Sequence, residues 1–216
     1  MYHVLDQKKI AEKFSFPHDG ITPYQVGFPL VELSDPTIEQ IYYFRWHTYC
    51  KHLKKSPLGW VVTEFLPDVP WAGKHNTISC AAGHHFNEGR WLREDSYLQD
   101  YARFWFTEDG EPRRYSFWVA HALYAFCSVK GDFSLAISLL DQLKANYEAW
   151  ERDKQEPNGL FWQLADRDGM ERPSAATASV PPSTPICTAT PAPSPSWRKW
   201  WGMQKPLRNT AKRRKR

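Results

Sequence analysis

The sequence predicts a mainly α fold with a disordered C-terminal tail, and three observations carry that expectation. Five stretches between residues 36 and 150 repeat apolar residues at helical spacing. Only one short run, Gly59–Phe65, reads as a strand. After Glu171 the composition breaks: residues 173–195 hold seven Pro among Ala, Ser and Thr, and residues 197–216 are Trp, Lys and Arg with no acid.

Residues 1–36 are punctuated by Pro17, Gly20, Pro23, Gly27, Pro29 and Pro36, and read as an extended lead-in. Asp35-Pro36 is a helix start, with Asp35 as N-cap and Pro36 at the first position. Ile38, Ile41, Tyr42, Phe44, Tyr49 and Leu53 carry this helix to about Lys55, aromatic nearly all round and therefore expected to be heavily buried. A loop over Pro67–Gly73 leads to a second helix, Asn76–Arg93, whose small residues Ala81 and Ala82 permit close packing. Ser96–Phe106 is the third helix and Tyr115–Val129 the fourth, separated by the polar turn Glu111–Arg114. Gly131-Asp132 breaks the chain, and Phe133–Trp150 is the fifth helix, with Leu135, Leu139, Leu140, Leu143, Tyr147 and Trp150 as its apolar stripe. Glu156-Pro157-Asn158-Gly159 is a turn. Helices joined by loops of unusual polarity are how a toroid of helical hairpins exposes one working face.

Charge is split along the chain. Residues 1–171 carry 18 Lys+Arg against 24 Asp+Glu, whereas residues 172–216 carry ten basic residues and no acid. The body is mildly acidic, which argues against specific nucleic-acid binding. Cys50, Cys80 and Cys127 are far apart with no CxxC pair, so neither a zinc site nor a disulfide framework is expected. His84-His85 lacks the further ligand of a metal-binding helix, and no cofactor fingerprint is present. No signal peptide opens the chain and no apolar run reaches the roughly 18 residues of a membrane span, so a cytoplasmic protein without membrane contact is the expectation.

The chemistry concentrates in Phe161–Glu171. It holds two aromatics, the amide of Gln163, Arg167 and the carboxylates Asp166, Asp168 and Glu171. Trp162 suits stacking on a sugar ring, and Asp166 and Arg167 suit its hydroxyls. Trp71-Ala72-Gly73-Lys74-His75-Asn76 is a second such loop, in which Trp71 offers a floor and Lys74, His75 and Asn76 offer polar grips. The competing reading is that Asn76 caps the following helix and Trp71 packs. Arg45, Trp46, Arg114 and Trp118 are further ligand candidates, with packing as the alternative. A helical scaffold bearing aromatics, hydroxyl-binding groups and carboxylates fits carbohydrate chemistry by a pair of carboxyl groups.

Several long motifs then line up. Tyr43–Tyr49, Trp71–His85, Gly89–Arg93, Gly110–Trp118 and Asp166–Glu171 together resemble the mannosylglycerate hydrolase-like glycoside hydrolases, related to glycoside hydrolase family 63 and trehalases. The resemblance covers roughly residues 20–171. It implies a partial (α/α)6 toroid over residues 37–171, a carbohydrate substrate and inverting hydrolysis by two carboxylic acids. The family's general acid closes a Ser-Gly-Met-Asp or Ser-Gly-Trp-Asp motif, and the matching positions here read Asp168-Gly169-Met170-Glu171. Glu171 is therefore the implied general acid, with Asp168 as the alternative. The family's general base lies in the second half of the toroid, so this chain is expected to be inactive alone.

The tail, residues 172–216, is expected to be out of frame. A one-base shift turns it into a Gly-rich loop followed by an amphipathic helix, with apolar letters arising at Ser194, Trp197, Trp200 and Trp201. Two readings from other classes stand beside the hydrolase. One is a non-catalytic carbohydrate-binding scaffold that uses Trp71, Trp118 and Trp162. The other is a sugar isomerase or epimerase that uses His47, His75 and His121.

Overall fold

The computed structural model describes residues 5–17, 20–164 and 167. Within them the chain is mainly helical. The lead-in is not simply extended. It contains α1 (Gln7–Lys13), where Asp6 accepts from the amides of Lys8 and Lys9, and the single-turn α2 (Pro23–Val26). Thr22 N donates to Gln25 Oε1 at 2.8 Å at the start of α2, and Gly27, in the left-handed region with φ 69°, closes it. Polar capping residues, which the Pro and Gly punctuation masked, make these short helices possible.

α3 (Pro36–Lys51) begins as expected: Asp35 accepts from Thr37 N at 2.8 Å and Ile38 N at 3.1 Å. It stops at Lys51, because Leu53 opens a hairpin instead. Strands β1 (Leu53–Ser56) and β2 (Gly59–Val62) pair antiparallel in the register Leu53↔Val62 and Ser56↔Gly59. The expectation that α3 is buried all round is corrected. Tyr43, Trp46, Tyr49 and Cys50 face the core, whereas Ile38, Ile41 and Phe44 are each more than half exposed.

α4 (Ser79–Gly89) and α5 (Ser96–Phe104) follow, then α6 (Val119–Lys130), α7 (Ser134–Ser138) and α8 (Leu140–Lys154). The second predicted helix starts later than Asn76 because His75 and Asn76 both have positive φ, 59° and 58°. The fourth starts at Val119, not Tyr115: Trp118, with φ −86° and ψ 55°, is its non-helical N-cap, and the amides of Tyr115 and Ser116 are held by Ser79 Oγ and Arg167 O. The predicted fifth helix is two, divided at Leu139 with φ −101° and ψ 9°. Leu135, Leu139 and Leu143 all remain buried across that break, so the apolar stripe survives it.

The core is aromatic and ties the helices together. Tyr101 and Trp105, both wholly buried, are its centre: Tyr101 stacks on Phe86 of α4 at 5.3 Å, and Trp105 meets Phe117 edge-on at 5.3 Å. A second cluster, Phe14 on Tyr43 at 4.3 Å and Phe28 on Trp46 at 5.8 Å, fastens the lead-in to α3. The hairpin packs on α5 through Trp60 and Tyr97 at 4.9 Å, and Trp60 N donates to Asp100 Oδ2 at 3.1 Å. α4 packs against α6, and α7 bridges α6 and α8. Cys50, Cys80 and Cys127 are free thiols, and burial pushes Cys50 up to about 12. Among the described residues no helix is long and apolar enough to cross a membrane.

Gly89 is where α4 approaches α3 most closely. A Cβ there would fall well inside van der Waals contact with the Tyr49 hydroxyl, which donates to His85 O at 3.1 Å. Gly89→Ala is therefore expected to cost about 1–3 kcal/mol of stability, read as a lower urea midpoint, and an unchanged midpoint would contradict this packing.

Candidate functional site

Three loops meet on one face, and backbone bonds set their positions. The loop before α4 is fixed by Asn76. Its buried carboxamide accepts from Val69 N at 3.3 Å and donates to Asp68 Oδ1 at 3.1 Å and to Phe65 O. Its own carbonyl accepts from Glu64 N at 2.9 Å. Two consecutive non-glycine residues at positive φ are costly, and they persist only where the surroundings over-determine them, as these bonds do. Asn76 therefore does not cap α4, whose N-cap is Ile78.

The same backbone turn presents Lys74 and His75 to a shared carboxylate. Lys74 Nζ lies 2.7 Å from Asp109 Oδ1, and His75 Nε2 lies 3.1 Å from Asp109 Oδ2. Hydrogen bonds from Lys74 and His75 hold the Asp109 carboxyl below the usual carboxylate range. Asp109 went unread in the sequence, where the turn was placed at Glu111–Arg114. Gly110 behind it must be glycine, since a Cβ would collide with the Phe104 carbonyl.

The loop over residues 105–118 is the second element. Arg114 donates from Nη1 to Glu111 Oε2 at 2.8 Å and from Nη2 to Trp71 O at 3.1 Å, so it bridges its own loop to the first. Trp71 itself is largely exposed, with its ring edge-on to Phe65 at 6.0 Å. Trp118 is half-buried. Its indole lies against Gly83 of α4 and edge-on to His84 at 5.0 Å.

The third element is the segment after α8. Trp162 N donates to Lys154 O at 3.0 Å, and Lys154 Nζ sits 3.8 Å over the Trp162 ring. Partial burial, and to a lesser degree Arg167 nearby, lower the Lys154 ammonium against the opposing pull of Asp153. Gln163 Nε2 donates to Arg113 O at 3.3 Å. Arg167 O accepts from Ser116 N at 3.0 Å, and its guanidinium lies 5.5 Å over the Tyr115 ring. Trp71, Lys74, His75, Arg114, Trp162 and Arg167 thus belong to one set of interlocked loops. Asp166, Asp168 and Glu171 lie outside the described residues.

Arg45 and Trp46 go elsewhere. Trp46 is buried in the cluster of Phe28, Tyr42 and Tyr49. Arg45 pairs with Glu88 at 2.9 and 3.1 Å across α3 and α4. Of the three histidines of the isomerase reading, His75 is on the loop face, His47 is buried against Phe16 at 5.3 Å, and His121 is in the first turn of α6. No group of three or more His, Cys, Asp or Glu that could hold a metal occurs among the described residues.

Fold and site define a mainly helical protein whose aromatic and charged loops share a face. The protein family described as the mannosylglycerate hydrolase MGH1-like glycoside hydrolase domain matches residues 74–215. The match begins at Lys74, in the first of the three loops, and runs past Glu171 through the Pro-rich and basic segments. The chain belongs to that glycoside hydrolase domain family. A solved structure titled "Sialidase" is similar, with 34% identity and a TM-score of 0.68 over 76% of this chain. The aligned part is 16% of that protein's length, so this chain corresponds to a small part of it. No curated protein matches the chain.

The Lys74–Asp109 contact makes a pH-dependent prediction. A depressed carboxyl contributes stability above its unfolded pKa and loses it as pH falls through the folded value. In Lys74→Ala the Asp109 carboxyl is expected to titrate at higher pH than in the wild type, and the acid-side loss of stability it causes to shrink. Carboxyl carbon NMR titration checks this, and an unmoved Asp109 curve would rule out the contact.

Proposed function

We propose that this chain supplies the general-acid half of an inverting glycoside hydrolase site within a partial (α/α)6 toroid. Membership of the glycoside hydrolase domain family supports a carbohydrate substrate. The observation that carries the reading further is the tie between Ser116 N and Arg167 O at 3.0 Å. It joins Arg167 of the Asp166–Glu171 motif to the loop that bears Arg114.

In this reading Glu171 protonates the leaving glycosidic oxygen. Its partner carboxylate, acting as base on water from the opposite ring face, is not among the motifs of this chain. Asp168 is the alternative acid, and Asp166 and Arg167 bind hydroxyls beside it. Trp71 and Trp162 supply ring faces, and Lys74, His75, Asn76, Arg114 and Trp118 shape the rim. Asn76 does so through the backbone, because its carboxamide is occupied by Phe65, Asp68 and Val69. Burial of His47 among aromatics favours hydrolysis over isomerisation by paired histidines. The 216-residue chain alone is proposed to be inactive, and residues 172–216 to be out of frame.

One experiment separates these statements. A polypeptide that keeps residues 1–171 and continues in the shifted frame is expected to release reducing sugar from a glycoside panel, and the 216-residue chain is not. Glu171→Gln in the former is expected to lower kcat by at least about 100-fold, with Asp168→Asn losing less. An unchanged rate in Glu171→Gln removes Glu171 as the acid. Release by the 216-residue chain contradicts the incomplete site, and no release by either protein overturns the hydrolase reading.

A further inference from the structure

A cavity of about 360 Å³ opens between α3, α4 and the end of β2. Of the three loops of the candidate site only the first reaches it, through Thr63 and Glu64 at its start. Phe44 is one wall, half exposed, with its ring held edge-on by Phe16 at 5.5 Å. Glu64, Glu88 and Arg45 also line it. Arg45 Nη2 donates to both carboxylate oxygens of Glu88, at 2.9 and 3.1 Å, and so ties α3 to α4 at the edge of the cavity.

Glu64 and His85 both line the cavity, and Tyr101 is buried against His85. The Tyr101 hydroxyl is 3.3 Å from His85 Nδ1, and His85 Nε2 is 3.6 Å from Glu64 Oε2. Burial, with His52 and His84 nearby, lowers His85 to about 3, so its imidazole is neutral at neutral pH. Burial also raises the Tyr101 phenol, so it stays protonated. With the phenol donating to Nδ1, Nε2 is the ring nitrogen that carries the proton, on the Glu64 side. Glu64, its pKa raised by burial, lines the cavity beside His85. A cavity of this size, with one apolar wall and a few convergent polar groups, has the form of a small-molecule site.

We propose that this cavity binds a single neutral pyranose ring, with its apolar face on Phe44 and vicinal hydroxyls on Glu64 and the Arg45–Glu88 pair. The pair cancels its own charge and Glu64 is a further carboxyl, so the lining matches a hydroxylated, uncharged ligand better than an anion. The cavity and the loop face use different side chains, and the Glu64 backbone amide, bonded to Asn76 O, is the tie between them.

The test is amide NMR of the 216-residue chain titrated with methyl α-D-glucopyranoside and methyl α-D-mannopyranoside, with glycerol as the small-polyol comparison. Saturable shifts are expected at Phe44–Tyr49, Val62–Glu64 and His85–Glu88 with at least one of the pyranosides and not with glycerol. Phe44→Ala and Glu64→Gln are each expected to weaken that binding about tenfold or more, while Arg114→Ala leaves it unchanged. Phe44 is half exposed and Glu64→Gln is isosteric, so at least one of these variants reports on a folded protein. Shifts confined to Trp71, Arg114 and Arg167, equal binding in both variants, or no shift at all would each overturn the proposal. The first of these leaves the loop face standing as a sugar site.

Discussion

The Asn76 carboxamide joins three points of the chain that would otherwise be free to separate: Phe65 O, Val69 N and the Asp68 side chain. Its own carbonyl holds Glu64 N. Each bond is worth roughly 1 kcal/mol net, but leaving such groups buried and unpaired would cost more. This network lets His75 and Asn76 remain at positive φ. That conformation turns Lys74 and His75 toward Asp109, and the rest of the face depends on it. With the first loop fixed, Arg114 can reach Trp71 O, Tyr115 N can reach Ser79 Oγ, and Ser116 N can reach Arg167 O. The order of dependence runs from one amide side chain to three loops.

The aromatic core gives those loops a rigid base. Tyr101 and Trp105 on and beside α5 contact Phe86 of α4 and Phe117 just before α6, so the helices that flank the loops cannot shift independently. Glycine decides the closest approaches. Gly83 admits the Trp118 indole against α4, and Gly110 lets the chain turn back over Phe104. Glu64 links the two sites of the molecule: its amide holds the Asn76 loop and its side chain lines the lateral cavity.

Much of the helical scaffold was legible in the sequence because amphipathic periodicity and capping are local. Asp35-Pro36 marked the start of α3, and Gly131 the end of α6. The misreadings have physical causes. Residues 115–118 carry helical spacing, but the amides of Tyr115 and Ser116 go to partners far along the chain, which spacing cannot show. His75 and Asn76 looked like a helix start, and the left-handed turn that delays α4 depends on contacts with Phe65, Asp68 and Val69. Ile38, Ile41 and Phe44 read as core, and no helix among the described residues covers them. For the site, the Trp71–Asn76 and Arg114 motifs were visible as polar–aromatic clusters. Asp109 was not, because its role comes only from Lys74 and His75, which fold onto it. Glu64 and His85 were missed as a pair because nothing in residue spacing joins a strand end to the middle of a helix.

The central claim is that the loop face is held as firmly as the core. Native-state hydrogen exchange measures this directly, since opening free energies near the global value mark core-like segments and values near zero mark mobile loops. The amides of Glu64, Gly73, Tyr115 and Ser116, all bonded within the loop network, are predicted to exchange as slowly as those of α5. Exchange of these four at the rate of an open loop, while α5 stays protected, would contradict it.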